Sequence, residues 1–286
     1  MVSNHRAVYP YLKWLTPFGW VVAELGRPQI HGYPIVSIAF TDRLQFVSGA
    51  DEKIVRVFDA PKVVVGGLKK LAIVEGLGDE NERPMAAMVP PLGLSNRTIA
   101  NEVEADSLQP DTNDPFAALP TLPANFDLNN HPPFEEQLLG STLWPETDKL
   151  YGHSFEIIAL AAAHSSHVIA TACKATSPEH AVIRFFNSKT WKAVGSVLAG
   201  HALTITKVRF SRDDRWLVSV SRDRTWRVWR RTEGGGEGDF EPAGASKSHA
   251  RIVWDACWAG DGVFFVTASR DKTVSRSLDG AVLVPS

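Results

Sequence analysis

Through much of the second half of the chain, hydrophobic and polar positions alternate with period two. Ile205, Val208 and Phe210 lead into the polar run Ser211-Arg212-Asp213-Asp214-Arg215. Trp216-Leu217-Val218-Ser219-Val220 follows, then a tight turn at Arg222-Asp223, then Trp226-Arg227-Val228-Trp229. Short β-branched or aromatic runs parted by polar turns predict antiparallel strands. The pattern also recurs. Gly152-His153, Gly200-His201 and Ser248-His249 place a histidine every 48 residues, and both His201 to Asp223 and His249 to Asp271 span 22. The strings around those aspartates nearly match, V-S-V-S-R-D-R-T-W-R-V-W at 218–229 and V-T-A-S-R-D-K-T-V-S-R-S at 266–277. A fourth copy runs from His31-Gly32 to V-S-G-A-D-E-K-I-V-R-V-F-D at 47–59.

Four strands in each unit of about 48 residues, opened by Gly-His and closed by an aspartate turn and a tryptophan strand, predict an all-β fold of propeller blades. Residues 60–150 break the rhythm. Val63-Val64-Val65, Met88-Val89 and L-L-G-S-T-L-W at 138–144 read as strand candidates. Residues 101–137, rich in Pro, Asn and Asp, read as a long disordered loop inserted in a divergent blade. The resulting division is a first blade region over 1–60, a divergent blade over 61–150 and three regular blades over 151–286. All belong to one propeller domain with about five blade equivalents. The glycine cluster at 234–238 reads as a second flexible loop, between strands of adjacent units.

Composition narrows the setting. The chain has 286 residues, 44% hydrophobic and 22% charged, with a formal net charge of -2, so it has ample material for a core and no global attraction to nucleic acid or acidic lipid. Cys173 and Cys257 lie 84 positions apart in apolar runs and build neither a disulfide framework nor a cysteine zinc site. No apolar run approaches the roughly 18 residues of a membrane span, and no signal-peptide core opens the chain. A cytoplasmic and also nuclear location, with no membrane association, is the expectation.

The repeat residues resemble the WD-repeat propellers. In that family the histidine, a strand Ser or Thr, the turn Asp and the strand Trp form a hydrogen-bonded network inside each blade. The resemblance assigns these roles in the third unit to His201, Ser219 or Ser221, Asp223 and Trp229. The fourth unit offers His249 and Asp271, with Ser277 where Trp is expected. The first offers His31, Asp51 or Glu52, and Phe58. The second has His153 and Phe186, its aspartate turn replaced by the longer K-A-T-S-P-E-H at 174–180. More specific strings resemble the WD-repeat subunits of the Elongator complex. They are G-R-P-Q-I-H-G-Y (26–33), F-V-S-G-A-D-E-K-I-V-R-V-F-D-A-P (46–61), P-L-G-L-S-N (91–96), T-L-W-P-E (142–146), K-L-Y-G-H (149–153), A-C-K-A-T-S-P-E-H-A-V-I-R (172–184) and S-V-S-R-D-R-T-W (219–226). Those subunits carry two seven-bladed propellers in a longer chain. The resemblance therefore implies most of the second ring, with blades missing. It also implies a non-catalytic scaffold that holds other Elongator subunits together in support of tRNA wobble-uridine modification.

No phosphate-loop, zinc-protease or nucleophile-elbow motif occurs, and the 234–238 cluster lacks the Lys-Ser/Thr of a phosphate loop. Neither enzymatic activity nor a cofactor or metal is expected. The chemistry of interest is positive charge on the turns. Arg222 and Arg224 flank Asp223, Arg270 and Lys272 flank Asp271, Arg251 follows His249, and Lys174 and His180 lie in the enlarged turn. Repeat position puts these turns on one face, where loops of a rigid scaffold meet partners. Three readings stand. Each arginine pairs with Asp223 or Asp271 and stiffens its turn; the cations hold a protein partner; or they add a weak contact to RNA, tRNA in particular.

Overall fold

A computed structural model of the chain describes residues 2–3, 8–9, 11–16, 19–28, 33–70, 83–88, 97–99, 133–139 and 142–278. The chain divides into two compact units. One comprises Met1–Ile35, Asp42–Phe46 and Arg56–Asp148; the other comprises Val36–Thr41, Val47–Val55 and Lys149–Ser286. The division runs through a four-stranded sheet of order Glu146–Leu150, Val55–Asp59, Gln45–Ala50, Ile35–Asp42. This first sheet corrects the reading of 61–150 as a blade of its own. Glu146–Leu150 is the fourth strand of the sheet begun at Ile35, so the rhythm breaks because a segment intervenes between the third and fourth strands of one blade. Within that segment lie the helices Lys62–Lys70 and Glu135–Leu139 and the antiparallel pair Ala86–Met88 with Arg97–Ile99. Most of 101–137 lies outside the described residues. The core of this unit stacks Phe58 on Phe46, ring centroids 5.1 Å apart, with Trp144 beside Phe46.

Three further sheets follow at the repeat interval. The second is Ile157–Ala162, Val168–Cys173, Val182–Asn187 and Ala193–Ala199. The third is Ile205–Phe210, Trp216–Ser221, Trp226–Arg231 and Phe240–Ser246. The fourth has three described strands, Val253–Trp258, Phe264–Ser269 and Val274–Leu278. Consecutive strands in all three are antiparallel. The repeat reaches backbone detail. The pairing of first and second strands slips at Ile157/Ala159, Ile205/Lys207 and Val253/Asp255, one irregularity per sheet and 48 residues apart.

Burial explains why alternation is strong in some strands and absent in others. The second strands sit mid-sheet with a neighbouring sheet against each face, so Val168–Cys173 is buried at every position and reads as a continuous apolar run. Outer strands meet solvent, and Ala193–Ala199 is exposed at most positions. Sheets two and three share one apolar cluster, centred on Phe185, Leu217, Trp229 and Phe240. Sheets three and four share another, in which Trp226 meets Phe265 edge-on at 5.1 Å. The 234–238 glycines join the third and fourth strands of the third sheet rather than two units. They are also pinned: the Asn187 side-chain amide donates to Glu237, and the Gly238 carbonyl presses on Gly195.

Candidate functional site

The site is built outward from a buried histidine in each of sheets two to four. His201 Nδ1 lies 3.1 Å from Asp223 Oδ2, its Nε2 2.9 Å from Ser219 Oγ, and Trp229 Nε1 donates to the same hydroxyl at 2.9 Å. An ionised carboxylate only accepts, so His201 carries its proton on Nδ1. Ser219 then takes the indole N–H and gives its own proton to Nε2. Every polar atom of this buried chain is satisfied. Of the two candidate hydroxyls, Ser219 therefore holds the network. Ser221 works one step outward, donating to Leu203 O and accepting from Asp223 N. Sequence reasoning missed Thr225, whose hydroxyl lies 3.1 Å from His201 Nδ1 and 2.6 Å from Asp223 Oδ1. Its signal was a threonine two residues after the aspartate in both repeats.

The fourth sheet repeats the arrangement with Thr267, Asp271 and Thr273 around His249. Ser277, in the register position of Trp229, supplies no indole. In the second sheet His153 Nε2 reaches Thr171 Oγ1 at 2.8 Å, but no aspartate turn exists to meet Nδ1, which is buried and unpartnered. Thr171 gives its proton to Arg184 O, so here the imidazole proton sits on Nε2, the opposite tautomer. Burial, with the positive charge of Arg184, lowers the pKa of His153 to about 4. Phe186 occupies the tryptophan position and is buried, as is Phe58 in the first sheet, while His31 lies outside the described residues.

The aspartates thus face inward. Asp223 accepts from His201, Ala202 N, Thr225 N and the Thr225 hydroxyl. Burial pushes its pKa up, but the bonds from His201, Thr225 and Ala202 outweigh that and hold it far below the usual range. Asp271 is held equally low, chiefly by the Thr273 hydroxyl. The flanking cations are left over. Among the described residues Arg222, Arg224, Arg251, Arg270 and Lys272 form no ion pair, and all five are exposed. Pairing with Asp223 or Asp271, the first of the three readings, is therefore absent. Backbone bonds fix the turns: Arg222 N to Thr204 O at 3.0 Å, Arg270 N to Ile252 O at 2.9 Å, and Arg224 N and Lys272 N back to Ser221 and Ser269. Arg224 and Lys272 hold φ of 74° and 68°. Lys174 is different. It is engaged by Asp51, with Glu156 at 3.9 Å, and so stands apart from the five. Nearby His180 sets its ring edge-on to Phe155.

Comparison with known proteins agrees with this geometry. Residues 192–230 and 241–275 match the family "WD domain, G-beta repeat". Elongator complex protein 2 of Mus musculus is 41% identical over 264 residues, and those of Saccharomyces cerevisiae and Schizosaccharomyces pombe are 42% and 43% identical. Each match covers 88% of this chain and 32% of the relative. A chain of a mitotic checkpoint complex crystal structure superposes at TM-score 0.49 and 14% identity, covering 89% of this chain and 54% of that one. The chain is a WD-repeat protein of propeller blades, and over most of its length a relative of Elongator complex protein 2, of which it spans about a third.

Proposed function

We propose that this chain is a non-catalytic scaffold element of an Elongator complex, supporting tRNA wobble-uridine modification by helping to hold the catalytic assembly together. Its contact with partner subunits runs through Arg222, Arg224, Arg251, Arg270 and Lys272. One observation carries the assignment: the carboxylates beside these cations are turned into the histidine networks, leaving the cations unpaired. A second supports it. A non-glycine residue at positive φ costs about 1–2 kcal/mol, yet the two left-handed turn positions hold Arg224 and Lys272 rather than glycine. Arginine forks suit a carboxylate-bearing partner.

The test is capture of Elongator subunits by the chain with Arg222, Arg224 and Arg270 replaced together by Ala. Capture is expected to fall while the melting temperature holds, because the turns are fixed by backbone bonds. Unchanged capture overturns the assignment. Intact capture with loss of salt-sensitive tRNA binding transfers the face to RNA.

A further inference from the structure

The enlarged turn at 174–180 has no part in the histidine network, yet it occupies the position of the arginine turns, between the second and third strands of its sheet. It is wired to the third sheet. Ala175 N donates to Thr204 Oγ1 at 2.9 Å, and Thr204 N and its hydroxyl both return to Ala175 O, at 3.0 and 2.9 Å. Thr204 O in turn accepts from Arg222 N. One residue links the two turns. Within the enlarged turn, Ser177 O accepts from His180 N and Ala181 N, closing a short loop over Pro178 and Glu179. The Ser177 hydroxyl takes no hydrogen bond among the described residues, and its neighbours Thr176, Pro178 and Glu179 are exposed. A following proline holds Ser177 out of the helical region and toward the extended backbone that protein kinases read. The one cation inside the turn, Lys174, is engaged by Asp51, so the nearest unpaired positive charges along the bonded path are Arg222 and Arg224.

We infer that Ser177 is a phosphorylation site for a proline-directed kinase, and that its phosphate pairs with Arg222 and Arg224 to silence the basic turns. Ser177 Oγ attacks the γ-phosphorus of ATP as the bond to the β,γ-bridging oxygen breaks. ADP departs, and the hydroxyl proton passes to the base of the kinase. The product brings nearly two negative charges and three acceptor oxygens to a face with unpaired guanidinium groups. Silencing of partner binding rests on the basic-turn assignment above; the modification and the ion pair do not.

The experiment treats the folded chain with a proline-directed kinase and ATP, maps phosphate by mass spectrometry, and titrates the product by ³¹P NMR. One phosphate at Ser177 is expected, absent in Ser177→Ala of unchanged melting temperature. The phosphoserine second pKa is expected below its ordinary value of about 6, returning toward it in the Arg222→Ala/Arg224→Ala double variant. Labelling of Ser177 only after denaturation overturns the site. A titration indifferent to both arginines overturns the ion pair. If the titration responds to the arginines but subunit capture ignores both the arginine replacements and the phosphate, the phosphate site stands and the basic-turn assignment falls.

Discussion

Two buried histidines with opposite protonated nitrogens give opposite predictions. His201 sits in a closed chain from Trp229 through Ser219 to Asp223. Ser219→Ala strands both the imidazole Nε2 and the indole N–H in the interior. Each such group costs about 1–3 kcal/mol, so denaturant unfolding should report a loss of at least 2 kcal/mol, largely restored by Ser219→Thr. His153 lacks the aspartate, and burial holds it neutral with a pKa of about 4 against about 6.5 unfolded. Its folded pKa is the lower one, so the unfolded chain binds the extra proton. The contribution is complete above pH 6.5 and is lost as pH falls toward 4, by at most about 3 kcal/mol. A His153→Phe variant, compared with the parent by thermal melting from pH 7 to pH 4, should show the shallower decline. The Gly-His glycines follow a related logic. Gly200 has a φ of 155° and lies where a Cβ would meet the Arg227 guanidinium at 2.9 Å; Gly152 lies under Arg184 in the same way. In the fourth unit both partners change, to Ser248 and Ser275, and Ser248 Oγ accepts from Trp226 Nε1.

At the scale of elements, sheets two and three are clasped through a turn rather than through their strands alone. Asp214, buried with a φ of 57°, accepts from the backbone N–H groups of His164, Ser165 and Ser166 at 2.6–2.9 Å, all in the preceding sheet. Asp214→Ala leaves three donors without an acceptor and keeps the unfavourable φ. A loss of about 3 kcal/mol or more is expected, with earlier hydrogen exchange in 163–168. Asp214→Asn keeps one acceptor oxygen and tolerates the φ, and should cost less. Nothing in the sequence distinguished Asp214 from its neighbour Asp213, because the clasp joins positions about 48 residues apart. The blade pattern, by contrast, was fully legible: four alternating runs per repeat and a histidine spaced 18 residues from its strand hydroxyl in each of three sheets. Glu146–Leu150 was misassigned because strand pairing across an intervening segment of some 85 residues leaves no local signal. The site was half legible. Repeat position located the cations, but whether Asp223 and Asp271 turned toward them or toward the histidines depended on Thr225 and Thr273, whose hydroxyls were not weighed.

For the molecule as a whole, a net charge of -2 conceals a local excess, since five exposed cations keep no acid among the described residues beside them. Such charge acts on partners and little on the fold, and Arg224 separates the two effects. Its backbone amide closes the turn and its φ of 74° is one that glycine prefers, while its guanidinium bonds to nothing in the chain. Arg224→Gly therefore keeps the turn bond, relieves the strained φ and deletes one charge. Relief of strain and the greater freedom of glycine in the unfolded chain oppose each other, leaving stability within about 1 kcal/mol of the parent. Subunit association is expected to weaken, and its salt dependence to flatten, because an exposed charge at a partner surface works through steering and screening. The measurement is association kinetics of the parent and Arg224→Gly at low and high salt, beside their melting curves. A slower on-rate at low salt that converges with the parent at high salt, at unchanged melting temperature, is the expected outcome. Equal on-rates at both salt concentrations would show that the cation was retained for something other than a partner.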